Sequence, residues 1–246
     1  MLIKSGLPCP NCTSSDALAK YENGTYCFSC KYSTLEIIKT LKNQNQENLT
    51  LTPNQADWVS LDSHKHISAY TFLKSYHINQ QLIDKYQLMW SPQTNRLVLP
   101  FIYKTKCVGG QLRSLDKRPM RKYLNVGDTG IWNPNNLLAT IVANWAMTTI
   151  VVVEDIISAI RINEILPAVA LCGTKTDNST KETLRKLGKT IILWLDSDIP
   201  GQNACKKLKC SLQLTNDVKV IKTELDPKCY KKADLESYLI AATVGK

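Results

Sequence analysis

Two apolar runs, at 149–153 and 191–195, each end abruptly in acidic residues. The acids that follow them are Glu154 and Asp155 after the first run, and Asp196 and Asp198 after the second. A helical pattern follows each pair, and a third short strand is predicted at 168–174. Strands that alternate with helices predict a parallel sheet, and the carboxyl ends of its strands meet at one edge. The four carboxylates are therefore expected together at that edge.

The middle of the chain predicts a smaller mixed region. Apolar positions over 67–86 indicate two short helices that are broken near His77. The segment 96–103 predicts a strand that is interrupted or ended at Pro100, and the Val-Gly-Gly sequence at 108–110 predicts a tight turn into a second strand.

Composition excludes several classes of protein. Hydrophobic residues make up 43% of the 246 and charged residues 21%, which is typical of a globular protein. No apolar run approaches the roughly 18 to 20 residues of a membrane span, and the N-terminus lacks the apolar stretch of a secretory signal. Nine cysteines, an odd number, argue against a closed disulfide framework. We therefore expect a cytoplasmic protein with no membrane partner.

An excess of basic residues indicates an anionic partner. Lys and Arg total 31 against 21 Asp and Glu, a formal net charge of +10. Seven basic residues and a single acid lie between Lys104 and Lys122. This basic cluster can neutralise phosphates without reading bases. It can equally protect a sheet edge, and the charge pattern alone does not decide between the two.

Four cysteines at the start of the chain predict a metal centre. Cys9 and Cys12 form one Cys-x-x-Cys pair, and Cys27 and Cys30 form a second after fourteen intervening residues. Two such pairs place four thiolates around one tetrahedral centre, which is the donor set of structural zinc. The alternative, a pair of redox-active or unpaired thiol motifs, is the weaker interpretation of a doubled spacing.

The carboxylates at the strand ends predict a second kind of metal site. Carboxylates that converge repel one another, and a hard divalent cation such as Mg²⁺ or Mn²⁺ relieves that repulsion. Such an ion serves phosphoryl-transfer chemistry. For Asp198 alone, capping of the following helix is an equally good explanation.

The motif order resembles that of a known family. An apolar strand followed by Glu154, and a later strand followed by the Asp-x-Asp-x-x-Gly sequence at 196–201, look like the Toprim domain of topoisomerases, primases and some nucleases. The four cysteines, the Gly-Gly-x-x-Arg sequence at 109–113 and the Lys-Tyr-Leu-Asn sequence at 122–125 resemble the zinc-ribbon primases of bacteria and podovirus-type phages.

This resemblance implies an α/β fold with a small β module and four regions. They are a zinc-binding ribbon at 1–36, a flexible linker at 37–60, a basic α+β subdomain at 61–143 and a Toprim parallel-sheet domain at 144–246. The cysteines would hold zinc, while Glu154, Asp196 and Asp198 would organise the catalytic Mg²⁺ or Mn²⁺, with Asp155 and Asp234 as further candidates. The residues implied to face nucleotide, template or new RNA are Arg113, Lys117, Arg118, Arg121, Lys122 and Asn125.

The implied function is a DNA primase that makes short RNA primers from ribonucleoside triphosphates on single-stranded DNA. The sequence has no Gly-x-x-x-x-Gly-Lys-Ser/Thr loop, so the replicative helicase and the DNA polymerase would be separate partners. The family usually has Gly after its Glu and Asp four places on, whereas this chain has Asp155 and Ser158. A Toprim nuclease and a non-catalytic DNA-binding clamp therefore stay open as alternatives.

Overall fold

The computed structural model describes residues 2–34, 57–127 and 147–244, apart from positions 13, 22–23, 31, 33, 104–105, 118, 175 and 177. The chain divides into two compact units, residues 1–52 and 53–246. Most of the linker predicted at 37–60 lies outside the described residues. Its last residues, Val59–Ser60, are paired as a strand.

The first unit contains a three-stranded antiparallel sheet. Its strands, in the order β1-β2-β3, are Leu2–Leu7, Leu18–Tyr21 and Gly24–Cys27. The buried apolar side chains that pack together here are Leu18 and two of the four predicted metal ligands, Cys9 and Cys27. Burial of so few side chains is too small to hold a sheet together, so this unit depends on its cysteines.

The second unit begins with a five-stranded antiparallel sheet in the order β4-β5-β6-β7-β8. These strands are Val59–Ser60, Met89–Ser91, Arg96–Tyr103, Lys106–Arg113 and Tyr123–Gly127. Helices α1 (Ile67–Ser75) and α2 (Gln80–Lys85) lie between β4 and β5 in the chain. The two predicted helices are therefore confirmed, and His77 has a φ of 59° at the break between them.

Two expectations for this sheet are wrong. Strand β6 continues through Pro100 to Tyr103. Pro100 pairs with Gly110 of β7 on one side, and its other side is unpaired because the pairing of β6 with β5 has already ended at Val98. A residue without an N–H fits where one flank is unpaired. The glycines at 109–110 lie within β7 rather than in a turn. A Cβ on Gly109 would lie 2.3 Å from the carbonyl oxygen of Val126, so β8 packs too closely for any side chain.

The predicted parallel sheet is confirmed, in the order β10-β9-β11-β12. Its strands are Thr149–Val153 (β9), Ala168–Ala170 (β10), Thr190–Leu193 (β11) and Val218–Val220 (β12). The helices that follow β9 to β12 are α3 (Ile156–Ile162), α4 (Asn178–Lys186), α5 (Ile199–Leu212), a 3₁₀ helix (Pro227–Cys229) and α6 (Lys232–Val244).

The parallel sheet is covered on both faces. Val151 and Val153 of β9 pack in one core with α3 and α6, whereas Ile150 and Val152 pack in another with α4 and α5. The first core also contains side chains of α1, α2, β6 and β7. The first core therefore joins the two sheets, and the antiparallel sheet lies against the carboxyl ends of the parallel strands. Among the described residues, no helix combines the length and the apolar character that crossing a bilayer requires.

Candidate functional site

The four predicted zinc ligands lie together in the first unit. All four Sγ atoms are within 4.8 Å of one another, with Cys9 and Cys30 3.7 Å apart and Cys12 and Cys27 3.8 Å apart. A closed set of four sulfur donors is the arrangement of a structural zinc site. A hydrogen bond from the Tyr32 backbone N–H lowers the pKa of the Cys30 thiol to about 6, whereas the pKa of Cys12 is raised to about 11, because a backbone hydrogen bond from Ser14 is outweighed by contacts with Cys30 and by burial. The cluster therefore supports structural zinc binding.

A cleft of about 450 Å³ lies in the second unit at the carboxyl ends of β9 and β11. Strands β7 and β8 contribute its opposite wall. Carboxylates and cations line the same space, namely Glu154, Asp155, Asp196, Asp198 and Asp226 with Arg113, Lys122 and Lys228. The structure therefore brings together all four acids that were predicted to meet at the sheet edge.

Asp155 and Ser158 begin helix α3. Asp155 Oδ1 accepts hydrogen bonds from the backbone N–H groups of Ile157 (2.9 Å) and Ser158 (3.1 Å), and the Ser158 hydroxyl donates to Asp155 Oδ2 at 2.8 Å. Asp155 lies beyond the end of β9, so the alternation of strand residues between opposite faces no longer applies to it. It lines the cleft beside Glu154 and caps α3 at the same time.

Asp198 caps a helix and also lines the cleft. Its Oδ1 accepts a hydrogen bond of 2.7 Å from the Gly201 N–H and caps α5, and the residue also lines the cleft. A Cβ on Gly201 would lie 2.3 Å from the Asp196 carbonyl oxygen. A glycine at position 201 therefore lets α5 start directly against the segment that carries both aspartates.

Asp226 and Lys228 are cleft residues that the sequence analysis missed. Lys228 Nζ lies 2.8 Å from Asp155 Oδ2, 2.8 Å from Asp226 Oδ2 and 3.4 Å from Asp196 Oδ2. The available signal was an Asp-Pro-Lys sequence after the last strand of a parallel sheet, where ligand-binding residues collect. Asp234, by contrast, is exposed on the first turn of α6 and does not line the cleft.

Burial and mutual repulsion disfavour the charged forms of two carboxyls. Burial, with the nearby charges of Asp196 and Asp198, raises the pKa of Glu154 to about 7. Burial also raises the pKa of Asp196 to about 6, although Lys228 opposes this shift. Glu154 Oε2 and Asp196 Oδ1 are buried and have no hydrogen-bond partner. These orphaned oxygens are the donors that a hard divalent cation prefers, so the residues present fit Mg²⁺ or Mn²⁺.

The contribution of Glu154 to the stability of protein without a divalent ion is expected to be larger near about pH 5 than near about pH 8. Glu154 has a folded pKa of about 7 against a reference value of 4.5, so between these values the folded state binds the extra proton, and the free energy of unfolding falls as pH rises. At about pH 8, Glu154→Gln should raise the melting temperature by about 2–4 °C, equivalent to roughly 1 kcal/mol after solvent screening of a half-buried group.

Thermal melts of the zinc-loaded protein, in a buffer to which no Mg²⁺ or Mn²⁺ is added, would measure this effect. Glu182→Gln, at an exposed position of α4 outside the cleft, is the matched control and should leave the melting temperature unchanged. A lower melting temperature for Glu154→Gln at the higher pH would contradict the prediction.

Arg113 is held between two aromatic rings on the opposite wall. Its guanidinium carbon lies 4.3 Å from the ring centre of Phe72 and 5.1 Å from that of Tyr123, and it donates a hydrogen bond to the Tyr123 hydroxyl. Burial raises the pKa of Tyr123 to about 12, so this acceptor is neutral. A guanidinium fixed in this way is suited to recognising phosphate.

The other predicted nucleic-acid residues are distributed around this wall. Lys122 lines the cleft, and Asn125 accepts a hydrogen bond of 3.2 Å from the cleft residue Gln111. Lys117 and Arg121 are exposed on the segment that leads into β8. Arg118 lies outside the described residues.

Comparisons with known proteins agree with this architecture. Residues 151–239 match the family described as Toprim-like. No curated protein sequence matches the chain.

Solved structures of primases have the same fold. The zinc-binding and RNA polymerase domains of the Aquifex aeolicus primase superpose with a TM-score of 0.59 at 17% identity, covering 98% of this chain and 80% of that one. The primase fragment of the bacteriophage T7 primase-helicase gives a TM-score of 0.52 at 17% identity, covering 98% and 99%. A DnaG primase catalytic domain bound to single-stranded DNA gives 0.60 at 18% identity, covering 82% and 80%.

Proposed function

We propose that this chain is a DNA primase that joins ribonucleoside triphosphates into short RNA primers on a single-stranded DNA template. The observation that carries the proposal is the cleft of about 450 Å³, which is lined by five carboxylates on one side and by Arg113 and Lys122 on the other. A nucleoside triphosphate binds together with a divalent cation. The cation requires carboxylate oxygens, which one wall supplies, and the phosphate oxygens require positively charged hydrogen-bond donors, which the other wall supplies. The fold shared with primases supports the same conclusion.

In this reaction the 3′-hydroxyl oxygen of one nucleotide forms a bond to the α-phosphorus of the next. The bond from that phosphorus to the oxygen shared with the β-phosphate breaks, pyrophosphate leaves, and the hydroxyl proton passes to water. Glu154, Asp196 and Asp198 would hold Mg²⁺ or Mn²⁺. When bound, the ion lowers the pKa of the attacking hydroxyl and neutralises charge on the leaving group. No side chain is needed as a nucleophile.

The residues of the chain itself bind and orient the substrates. Arg113 and Lys122 would position the phosphates of the incoming nucleotide, while the exposed Lys117 and Arg121 lie where a nucleic-acid backbone can reach them. The zinc unit would help to select the template start site. A separate helicase and DNA polymerase would act with this protein at the replication fork.

Incubation with single-stranded DNA of mixed sequence, four ribonucleotides of which one is labelled, and Mg²⁺ or Mn²⁺ tests the proposal. We expect short labelled products that require both template and protein and that alkali destroys. The reaction without template is the matched control.

Other products would identify the alternatives. Shortened DNA without labelled RNA would overturn the proposal in favour of a Toprim nuclease. Retained DNA binding with neither product would overturn it in favour of a non-catalytic clamp.

A further inference from the structure

Lys228 lies inside the carboxylate cluster rather than at its rim. Its side chain is 12% exposed, and the carboxylates of Asp155, Asp196 and Asp226 all lie within 3.4 Å of its Nζ. The ring of Tyr76 faces the same ammonium at 6.0 Å from the ring centre. Three carboxylates at ion-pair distance favour the charged ammonium. The cleft therefore contains a permanent cation of its own.

The backbone around Lys228 is fixed. The residue lies in the 3₁₀ helix Pro227–Cys229, and the buried Arg161 of α3 donates to the Tyr230 carbonyl oxygen at 3.3 Å. The Tyr230 hydroxyl in turn accepts a hydrogen bond of 3.1 Å from the Leu225 N–H. These contacts anchor the chain on both sides of Lys228, so its ammonium is directed at the three carboxylates by the fold.

The two carboxylate oxygens of Asp196 differ in their contacts. Its Oδ2 contacts Lys228, whereas its Oδ1 is buried without a partner, as is Glu154 Oε2. In enzymes with two catalytic metal ions, the two cations are held close together by the same site. Here the Lys228 ammonium occupies the space beside Asp196 Oδ2.

We infer that Lys228 is a resident cation that takes the place of a second metal ion, so that the cleft binds a single divalent ion on the Glu154 side of Asp196. The inference rests on the proposed function for the role of that ion. Mg²⁺ requires carboxylate oxygens at about 2.0–2.1 Å in a nearly octahedral shell. The Asp155 and Asp226 oxygens instead each lie 2.8 Å from Nζ. Two cations at this position would also repel each other.

The spread of the carboxylates agrees with this inference. Across the described residues, the cysteines form the one group of three or more metal-ligating side chains whose ligand atoms all lie within 4.8 Å of one another. Three of the cleft carboxylates instead share the Lys228 ammonium.

Counting bound Mn²⁺ on the full-length, zinc-loaded protein tests the inference. After free zinc is removed, the loss of the electron paramagnetic resonance signal of free Mn²⁺ gives the number of ions bound per chain. We expect one ion for the wild type and two for Lys228→Met, in which three carboxylates lose their cation. Lys231→Met, at an exposed lysine three residues away, is the matched control and should still bind one ion.

Two ions on the wild type, or no ion, would overturn the inference, and this measurement is independent of whether Lys228→Met folds. A folded Lys228→Met that still binds one ion would also overturn it. The assay contains neither nucleotide nor template. One bound Mn²⁺ without primer synthesis would therefore count against the proposed function alone, and primer synthesis with two bound ions would count against the single-ion inference alone.

Discussion

Asp196→Asn should reduce primer synthesis by about 1000-fold while leaving the affinity for single-stranded DNA essentially unchanged. Asp196 is central to the carboxylate cluster of the cleft. One of its oxygens contacts Lys228, and the other is buried without a partner. An amide at this position removes the negative charge and replaces one oxygen donor with a hydrogen-bond donor. DNA affinity depends on neutralising backbone phosphates, and the substitution removes no basic residue.

The matched control is Asp234→Asn, which makes the same change of charge at an exposed acid outside the cleft. It should retain full primer synthesis. Primer yield on a denaturing gel and DNA binding by fluorescence anisotropy would be measured on the same preparations. Parallel losses of synthesis and binding in Asp196→Asn would show that Asp196 supports the fold or the DNA site instead. Loss of synthesis in Asp234→Asn would instead support Asp234 as a ligand of the catalytic metal.

Cys27→Ser should remove zinc from the protein and unfold the first unit while the second unit stays folded. Cys27 is fully buried, and the small core of this unit consists largely of metal ligands. Zinc binding contributes about 10–16 kcal/mol to the folding of such modules, far more than the burial of a few side chains can replace. Residues 53–246 have a separate core and should keep their melting temperature.

Zinc content and two-dimensional NMR spectra would check this result. The expected outcome is loss of one zinc per chain, with collapse of the dispersed signals of residues 2–34 and retention of those of 57–127 and 147–244. Cys210→Ser, at an exposed cysteine of α5, should change neither quantity. Full zinc content in Cys27→Ser would contradict a four-cysteine site.

The features that the sequence predicted well depend on short-range patterns. The doubled Cys-x-x-Cys spacing is enough to predict the sulfur cluster, because each pair is local and only two pairs have to meet. Likewise, the apolar runs before Glu154 and Asp196 predict the sheet edge, because parallel strands in a crossover fold end on the same side.

The features that it missed depend on long-range packing. Lys228 reaches Asp155 across 73 positions of the chain, and the Asp-Pro-Lys sequence around it indicates a place at the sheet edge but not this contact. Gly109 and Gly110 have the composition of a turn, yet they lie within β7 because the backbone of β8 approaches Gly109 closely. In both cases the decisive neighbour is distant in sequence, so local propensity predicted a different structure.

The position of Arg113 between Phe72 and Tyr123 has a consequence for ligand affinity. A flexible arginine loses about 1.5–2 kcal/mol of side-chain conformational entropy when it is immobilised. Arg113 has lost most of that freedom during folding, before any phosphate arrives. An anion that reaches this wall therefore meets an ordered donor and avoids this loss on binding, a difference of roughly tenfold or more in its dissociation constant.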